Sequence, residues 1–248
     1  MISVEDIIRH DNNYVRAFAD VASRDYGELF YNRDNPTSHD SNHALILKLD
    51  GDLDAAIADV TAFYRGLGVA PRIYHGFVPG ATEVLLPQLL AMGFKMEVFD
   101  EEYFECTEPS VIKPMAGFEL RRMRQLDAAA LAVFQEEGPW SVGVIERQLA
   151  RDDYHLLAGY VAGSPVTMAA LDLAERVTRV DDVMTHPAHR RQGYGRALMD
   201  GLVNYHRRIS GNALYLYSGI PSAVRIYQAA GFRKLDWKPY KWSAWLER

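Results

Sequence analysis

Beyond residue 117 the apolar positions switch between the two periods of a mixed fold. Phe118-Glu-Leu-Arg alternates as a strand does. Leu126, Ala130, Leu131 and Phe134 recur at helical spacing and predict a helix over 126–137, with a second short helix over 143–151. Residues 155–162 and 166–173 read as strands joined at Gly163-Ser164-Pro165, a hairpin signal, and 177–185 as a third strand stopped by Pro187. Leu198, Leu202 and Tyr205 return to the helical period, so 193–208 is predicted helical, with Arg207 and Arg208 at its negative dipole end. A short strand at 213–217 follows, then a helix opened by Pro221 and stopped at Gly231, extended chain from Phe232, and a final strand near 240–246.

The first half repeats part of this order in degraded form. Ile57, Val60, Phe63, Tyr64 and Leu67 share one side of a helix predicted over 54–67. A strand is expected at 72–77, a helix broken or kinked by Pro87 at 83–92, and Gly93-Phe94 leads into another strand. The succession of helix, strand, helix, Gly-Phe and strand matches 193–240 and reads as a tandem duplication. Pro109, Ser110, Pro114 and Gly117 interrupt the pattern between the halves, which places the domains at 1–112 and 117–248.

Composition narrows the class. The chain has 248 residues, 48% of them hydrophobic, enough for one large domain or two small ones. It has no apolar run long enough to span a bilayer, and its first residues lack a signal-peptide layout, so a soluble cytoplasmic protein without a membrane partner is expected. Cys106 is the only cysteine and the histidines lack ligand spacing, so neither a disulfide nor a metal is expected. Residues 1–115 carry 9 Lys+Arg against 19 Asp+Glu, and 116–248 carry 18 against 14. The second half is thus the one able to hold a polyphosphate. An overall pI near 5.8 without a recognition motif argues against a nucleic-acid partner.

One stretch concentrates the chemistry. A strand ending Val180-Asp-Asp-Val-Met-Thr185 runs through Arg190-Arg191-Gln192-Gly193-Tyr194-Gly195 into a helix. The first amides of a helix lack internal partners and attract an anion to the positive dipole end. Gly193 and Gly195 remove Cβ atoms that would hold a ligand away, while Arg190, Arg191 and Arg196 add charged donors. A tight turn or a solvated corner could carry the same residues.

In this stretch the chain resembles the GNAT superfamily of N-acetyltransferases. The Arg/Gln-x-x-Gly-x-Gly/Ala hallmark is matched by Arg190, Gly193 and Gly195, and the strand end by Thr185-His186-Pro187. A second landmark, Ala-x-x-x-Tyr-x-x-x-Gly-Phe, is present as Ala223, Tyr227, Gly231 and Phe232. The resemblance covers roughly 117–248 and implies an α/β fold, a GNAT-like mixed, mostly antiparallel sheet flanked by helices, here in tandem. It further implies acetyl-CoA as co-substrate. The backbone of Gln192, Gly193, Tyr194, Gly195 and Arg196 would cradle the pyrophosphate, with Arg190 and Arg191 beside it. Val183, Met184 and Thr185 would pair with the pantetheine arm, and one of their amides would polarise the thioester carbonyl. Tyr227 would protonate the leaving thiolate. Ile220 stands where the family often has asparagine, so Ser222 or Ser218 is the expected replacement contact.

The attacking amine needs a base. Asp182 is the first choice, with a water or a glutamate as alternatives; strand alternation sends Asp181 to the opposite face. Glu136, Glu137 and Trp140 fall where acceptor loops sit in similar enzymes, and the acidic character there favours a cationic acceptor, a small-molecule or peptide amine. The first half reads as inactive: Leu89 replaces the tyrosine before Gly93-Phe94, and Asp50-Gly51-Asp52-Leu53-Asp54 would repel a phosphate. It is expected to bury a sheet edge of the catalytic half. A non-catalytic CoA-binding regulatory module is the alternative function. A monomer or a homodimer is expected.

Overall fold

The structure is a computed structural model that describes residues 2–111, 115–133 and 139–247. Glu136, Glu137 and the C-terminal part of the helix predicted over 126–137 lie outside the described residues. In chain order the first elements are α1 (Val4–Asn13), β1 (Asp20–Arg24), β2 (Gly27–Tyr31), β3 (His43–Ile46), α2 (Leu53–Gly66), β4 (Arg72–Tyr74), α3 (Ala81–Ala91), β5 (Lys95–Phe99) and β6 (Glu102–Cys106). There follow β7 (Phe118–Met123), α4 (Ala128–Val133), α5 (Pro139–Leu149), β8 (Tyr154–Val161), β9 (Ser164–Leu173) and β10 (Val177–Thr185). The chain continues with α6 (Tyr194–Ile209), β11 (Ala213–Ser218), α7 (Pro221–Ala229), β12 (Phe232–Lys234) and β13 (Lys241–Trp245). These elements form two mixed, mostly antiparallel sheets flanked by helices.

Two compact units divide the chain, one of residues 1–10 with 101–238 and the other of residues 11–100 with 239–248. The first unit holds the sheet β12-β6-β11-β10-β9-β8-β7, in which only β10 and β11 run parallel. One face packs Leu157, Ala169, Leu171 and Val180 against Leu198 and Leu202 of α6 and Tyr227 of α7. The other packs Leu156, Ala158, Met168 and Ala170 against Ala130 of α4 and Ile145 of α5. Strand alternation produces both cores, since odd and even positions of β8 and β9 serve opposite faces.

The second unit holds the sheet β1-β2-β3-β4-β13-β5, with β3 and β4 parallel. Its core gathers Leu29, Ile46, Ile57, Val60, Tyr64, Leu85 and Trp242. The two sheets share a plan: a parallel pair, then a strand from the other side of the expected boundary, then a closing strand. β6, which precedes that boundary, pairs with β11 and β12 in the first unit. β13, which follows it, pairs with β4 and β5 in the second.

The halves have therefore exchanged strands, and the division differs from 1–112 and 117–248. Local pattern could not place these strands, because both are buried on two faces and either sheet offers a slot of that kind. Tyr103 and Phe104 of β6, like Trp242 and Ala244 of β13, are completely buried. A smaller difference concerns the hairpin: Val161 pairs with Ser164, so the turn is Ala162-Gly163, both at positive φ, and Pro165 lies inside β9 beside a register shift. Pro87 does not break its helix; α3 runs through it.

Candidate active site

The site lies where the parallel pair separates. β10 and β11 pair only from Val177–Ala213 to Arg179–Tyr215, although β10 continues to Thr185. A bulge lies beyond this pairing. Asp181 pairs with Ala170 and Met184 with Met168, so Asp182 and Val183 together oppose the single residue Ala169. Asp182 takes φ +52, a left-handed conformation that a non-glycine residue adopts at a cost. The bulge bends the end of β10, and Asp181 to Thr185 are all half-buried along it.

This bulge corrects the expectation that Asp181 and Asp182 face opposite ways. The extra residue resets the alternation and leaves both carboxylates on the sheet face that carries Tyr154. Asp182 Oδ2 accepts from the Tyr154 hydroxyl at 2.7 Å. Asp181 pairs with the buried Arg179 and accepts from the Asp182 amide at 3.1 Å. Burial and the Asp182 charge hold the Tyr154 phenol well above its ordinary value, so it keeps its proton and remains a donor to Asp182.

The loop after β10 reaches α6 through two left-handed residues, Arg191 at φ +60 and Gly193 at φ +89. Gly193 is the N-cap and supplies no side-chain cap. The first bond of the helix runs from Ala197 N to Gly193 O at 3.0 Å, so the amides ahead of Ala197 have no partner within the helix. Gln192 and Gly193 are exposed, and Tyr194 and Gly195 half-buried. A Cβ at Gly195 would come to an ordinary contact of 3.5 Å from Thr185 Oγ1, which places the helix start beside the end of β10.

The arginines divide in role. Arg190 Nε donates to the Thr185 carbonyl at 3.0 Å and shapes the loop, whereas Arg191 is exposed. Arg196 is tied to the buried Asp200 at 2.7 Å. The helix α7 places Tyr227 in the core beside Leu198 and Phe232, 7% exposed. None of the described residues hydrogen-bonds its hydroxyl. Burial, and then the charge of Asp181, push the phenol up to about 12. Ser222 lies exposed in the first turn of α7, and Ser218 Oγ accepts from Ile220 N at 3.1 Å. Trp140, on α5, is half-buried.

Two contributors escaped the sequence reading. Tyr154 was legible only as a residue at a strand edge, and Arg179 as an alternating strand position. The helix N-terminus in the second unit is built otherwise. Asp52 caps α2 with its own carboxylate, accepting from Ala55 N at 2.9 Å. A Cβ at Gly76, after β4, would meet Leu47, Val78 and Leu45 within 3.7 Å, so apolar side chains fill that end of the β3–β4 pair. Among the described residues no cluster could hold a metal ion, and no helix is long and apolar enough to cross a membrane.

Solved structures share this fold over nearly the whole chain. A functionally unknown conserved protein from Staphylococcus epidermidis aligns with a TM-score of 0.67 at 15% identity, covering 98% of this chain and 97% of that one. GCN5-related N-acetyltransferase from Kribbella flavida aligns at 0.67 and 16%, covering 99% and 96%. A GCN5-related N-acetyltransferase-like protein from Streptococcus suis aligns at 0.58 and 12%, covering 98% and 100%. No curated protein matches the chain. The model of the acetyltransferase (GNAT) family matches residues 111–232, the segment that holds β10, α6, β11 and α7. Those residues form a GNAT acetyltransferase domain, which spans just under half of the chain.

Proposed function

We propose that the chain is an N-acetyltransferase that moves an acetyl group from acetyl-CoA to a primary amine by direct attack in a ternary complex. The observation that carries this reading is the separation of β10 from β11 ahead of a helix N-terminus without a side-chain cap, with a tyrosine hydroxyl on α7 that no described residue hydrogen-bonds. The amides of Gln192 to Arg196 bind the donor's pyrophosphate, and Arg191 adds charge there. The backbone of Val183, Met184 and Thr185 along the freed edge of β10 takes the pantetheine arm and polarises the thioester carbonyl. Ser222 contacts the donor from α7.

Asp182, fixed by Tyr154, accepts the proton that the amine must lose. The neutral amine nitrogen then attacks the carbonyl carbon, and the carbon–sulfur bond breaks as Tyr227 gives its proton to the departing thiolate. The second proton that the nitrogen sheds in becoming an amide passes to water, which restores the Tyr227 phenol. Trp140 and the neighbouring Glu136 belong to the acceptor side. In the second unit the Asp52 carboxylate takes up the Ala55 amide at the helix start and puts negative charge where a phosphate would sit, which supports a degenerate, non-catalytic GNAT-like half.

Isothermal titration with acetyl-CoA, on the native chain and on Gly193→Asp, tests the reading. Micromolar binding that the substitution abolishes is the expected result. No binding by the native chain would sink it. Binding without thiol release on a broad amine panel would make the chain a CoA-binding module instead.

A further inference from the structure

We propose that the groove between β7 and α6 is a second ligand site, built for a carboxylate with an apolar body. The groove has a volume of about 520 Å³, within the range of small-molecule sites. It lies against the outer strand of the first unit's sheet, six strand positions away from the closing strand β12 and three from β10. Its origin is local. Ala197 and Gly201 sit one turn apart on the side of α6 that faces β7, and neither fills the space that a larger residue would take. Leu120 forms the floor so closely that a Cβ at Gly201 would come to 2.7 Å from its Cδ2. Phe118, Leu157 and Met115 complete an apolar body.

One end of the groove is cationic, with Arg122 and Arg208 in its lining. Arg122 Nε is buried and has no acceptor among the described residues. Its terminal nitrogen reaches the carbonyls of Asp152 and Tyr154 only at 3.4 Å, the limit of a hydrogen bond. Arg208 lies over the Tyr205 ring at 5.8 Å and has no carboxylate partner among the described residues. Arg121 also lines the groove, but its guanidinium is committed to Glu119 and to the Tyr160 ring at 4.6 Å.

The neighbouring polar pair adds no negative charge. His155 Nε2 lies 2.9 Å from the Asp152 carbonyl and must donate to it, so in the neutral ring Nδ1 accepts from the Tyr205 hydroxyl at 3.0 Å. Burial and the Arg122 charge keep that ring neutral by lowering its pKa. Two guanidinium groups without counter-charge among the described residues, one of them with a buried idle donor, therefore stand at the mouth of an apolar slot. A buried unsatisfied donor is a standing cost, which a ligand carboxylate would relieve while accepting from a second arginine. The apolar lining selects a carboxylate carrying an alkyl or aryl body over acetate or phosphate.

The test is titration of the full chain with decanoate, with decanol and inorganic phosphate as comparison probes. Decanoate is expected to bind one per chain, and decanol roughly tenfold to a hundredfold more weakly. Arg208→Glu, an exposed substitution that leaves the fold intact, should weaken decanoate by a similar factor and leave decanol unchanged. Ala197→Leu should weaken both by filling the slot. Arg122→Gln is informative only if its melting curve matches the native one, and Arg208→Glu carries the test without it. No decanoate binding, equal affinity for decanoate and decanol, binding of phosphate alone, or decanoate affinity unaffected by Arg208→Glu would each overturn the proposal. None of these readouts depends on acetyl-CoA binding or turnover.

Discussion

Tyr227→Phe removes one oxygen and leaves the ring in its cluster. None of the described residues hydrogen-bonds that oxygen, so the substitution breaks no protein contact. Stability should shift by less than about 0.5 kcal/mol, the usual scale where no feature is lost. Loss of a general acid removes a factor of about 10² to 10⁴ in rate, or about 3–5 kcal/mol at 1.36 kcal/mol per decade. The loss should fall on kcat, with donor affinity by direct titration unchanged. The assay is continuous detection of released thiol at saturating donor, after an amine panel has supplied an acceptor. Because the phenol is pushed up to about 12, it stays protonated through the neutral range, and the native rate should show no alkaline fall from this group below about pH 10. Asp181→Asn removes the charge that helps raise the phenol and should move any alkaline limb to lower pH. A kcat within about threefold of native, or a loss confined to donor binding, would refute the role of Tyr227.

Three further outcomes are expected. Gly231→Ala should cost at least about 2 kcal/mol by urea unfolding, because φ is +102 and the new Cβ would meet the Glu108 carbonyl oxygen at 2.6 Å. Gly193→Ala should cost only about 1 kcal/mol, since the atom met at 3.0 Å is the flexible tip of Met115, and equal losses would contradict this account. Burial presses His43 down to about 4 and, with the Lys241 charge, His75 to about 3. The unfolded chain takes up these protons near pH 6.5 while the folded one refuses them, so stability is full above about 6.5 and declines towards pH 4, by about 3 kcal/mol for His43 alone. A melting temperature that is flat across that window would remove the effect. Deleting residues 239–248 should melt the second unit while amide exchange in β8 and β9 stays slow, because Trp242 and Ala244 belong to the second core alone; loss of protection in both units would count against it.

The half that matches the acetyltransferase family was largely readable because its signals are local. Pro221 and Gly231 delimit α7, Gly193 caps α6, and Leu198 and Leu202 keep a helical period, so these elements fall within a residue or two of expectation. β1 was unreadable for the opposite reason: Asp-Val-Ala-Ser-Arg is largely exposed and has no apolar alternation. The bulge at Asp182 carries no glycine to mark it, so alternation was carried through it and Asp182 was put on the face opposite Asp181. The destinations of β6 and β13 depend on which sheet offers hydrogen-bonding partners, and no neighbouring residue records that.

The exchange of β6 and β13 also bears on the order in which the protein can be made. β4 must wait for a partner about 170 residues later, since Arg72 pairs with Trp245. The second sheet therefore stays split during synthesis, with β4 and β5 exposing open edges, while the first unit already has every strand it needs by Lys234. Closing so large a loop is slow, and the exposed edges are a hazard until it closes. The unit whose strands begin at Asp20 is thus the one finished last, and the unit that holds residues 111–232 can be complete before it.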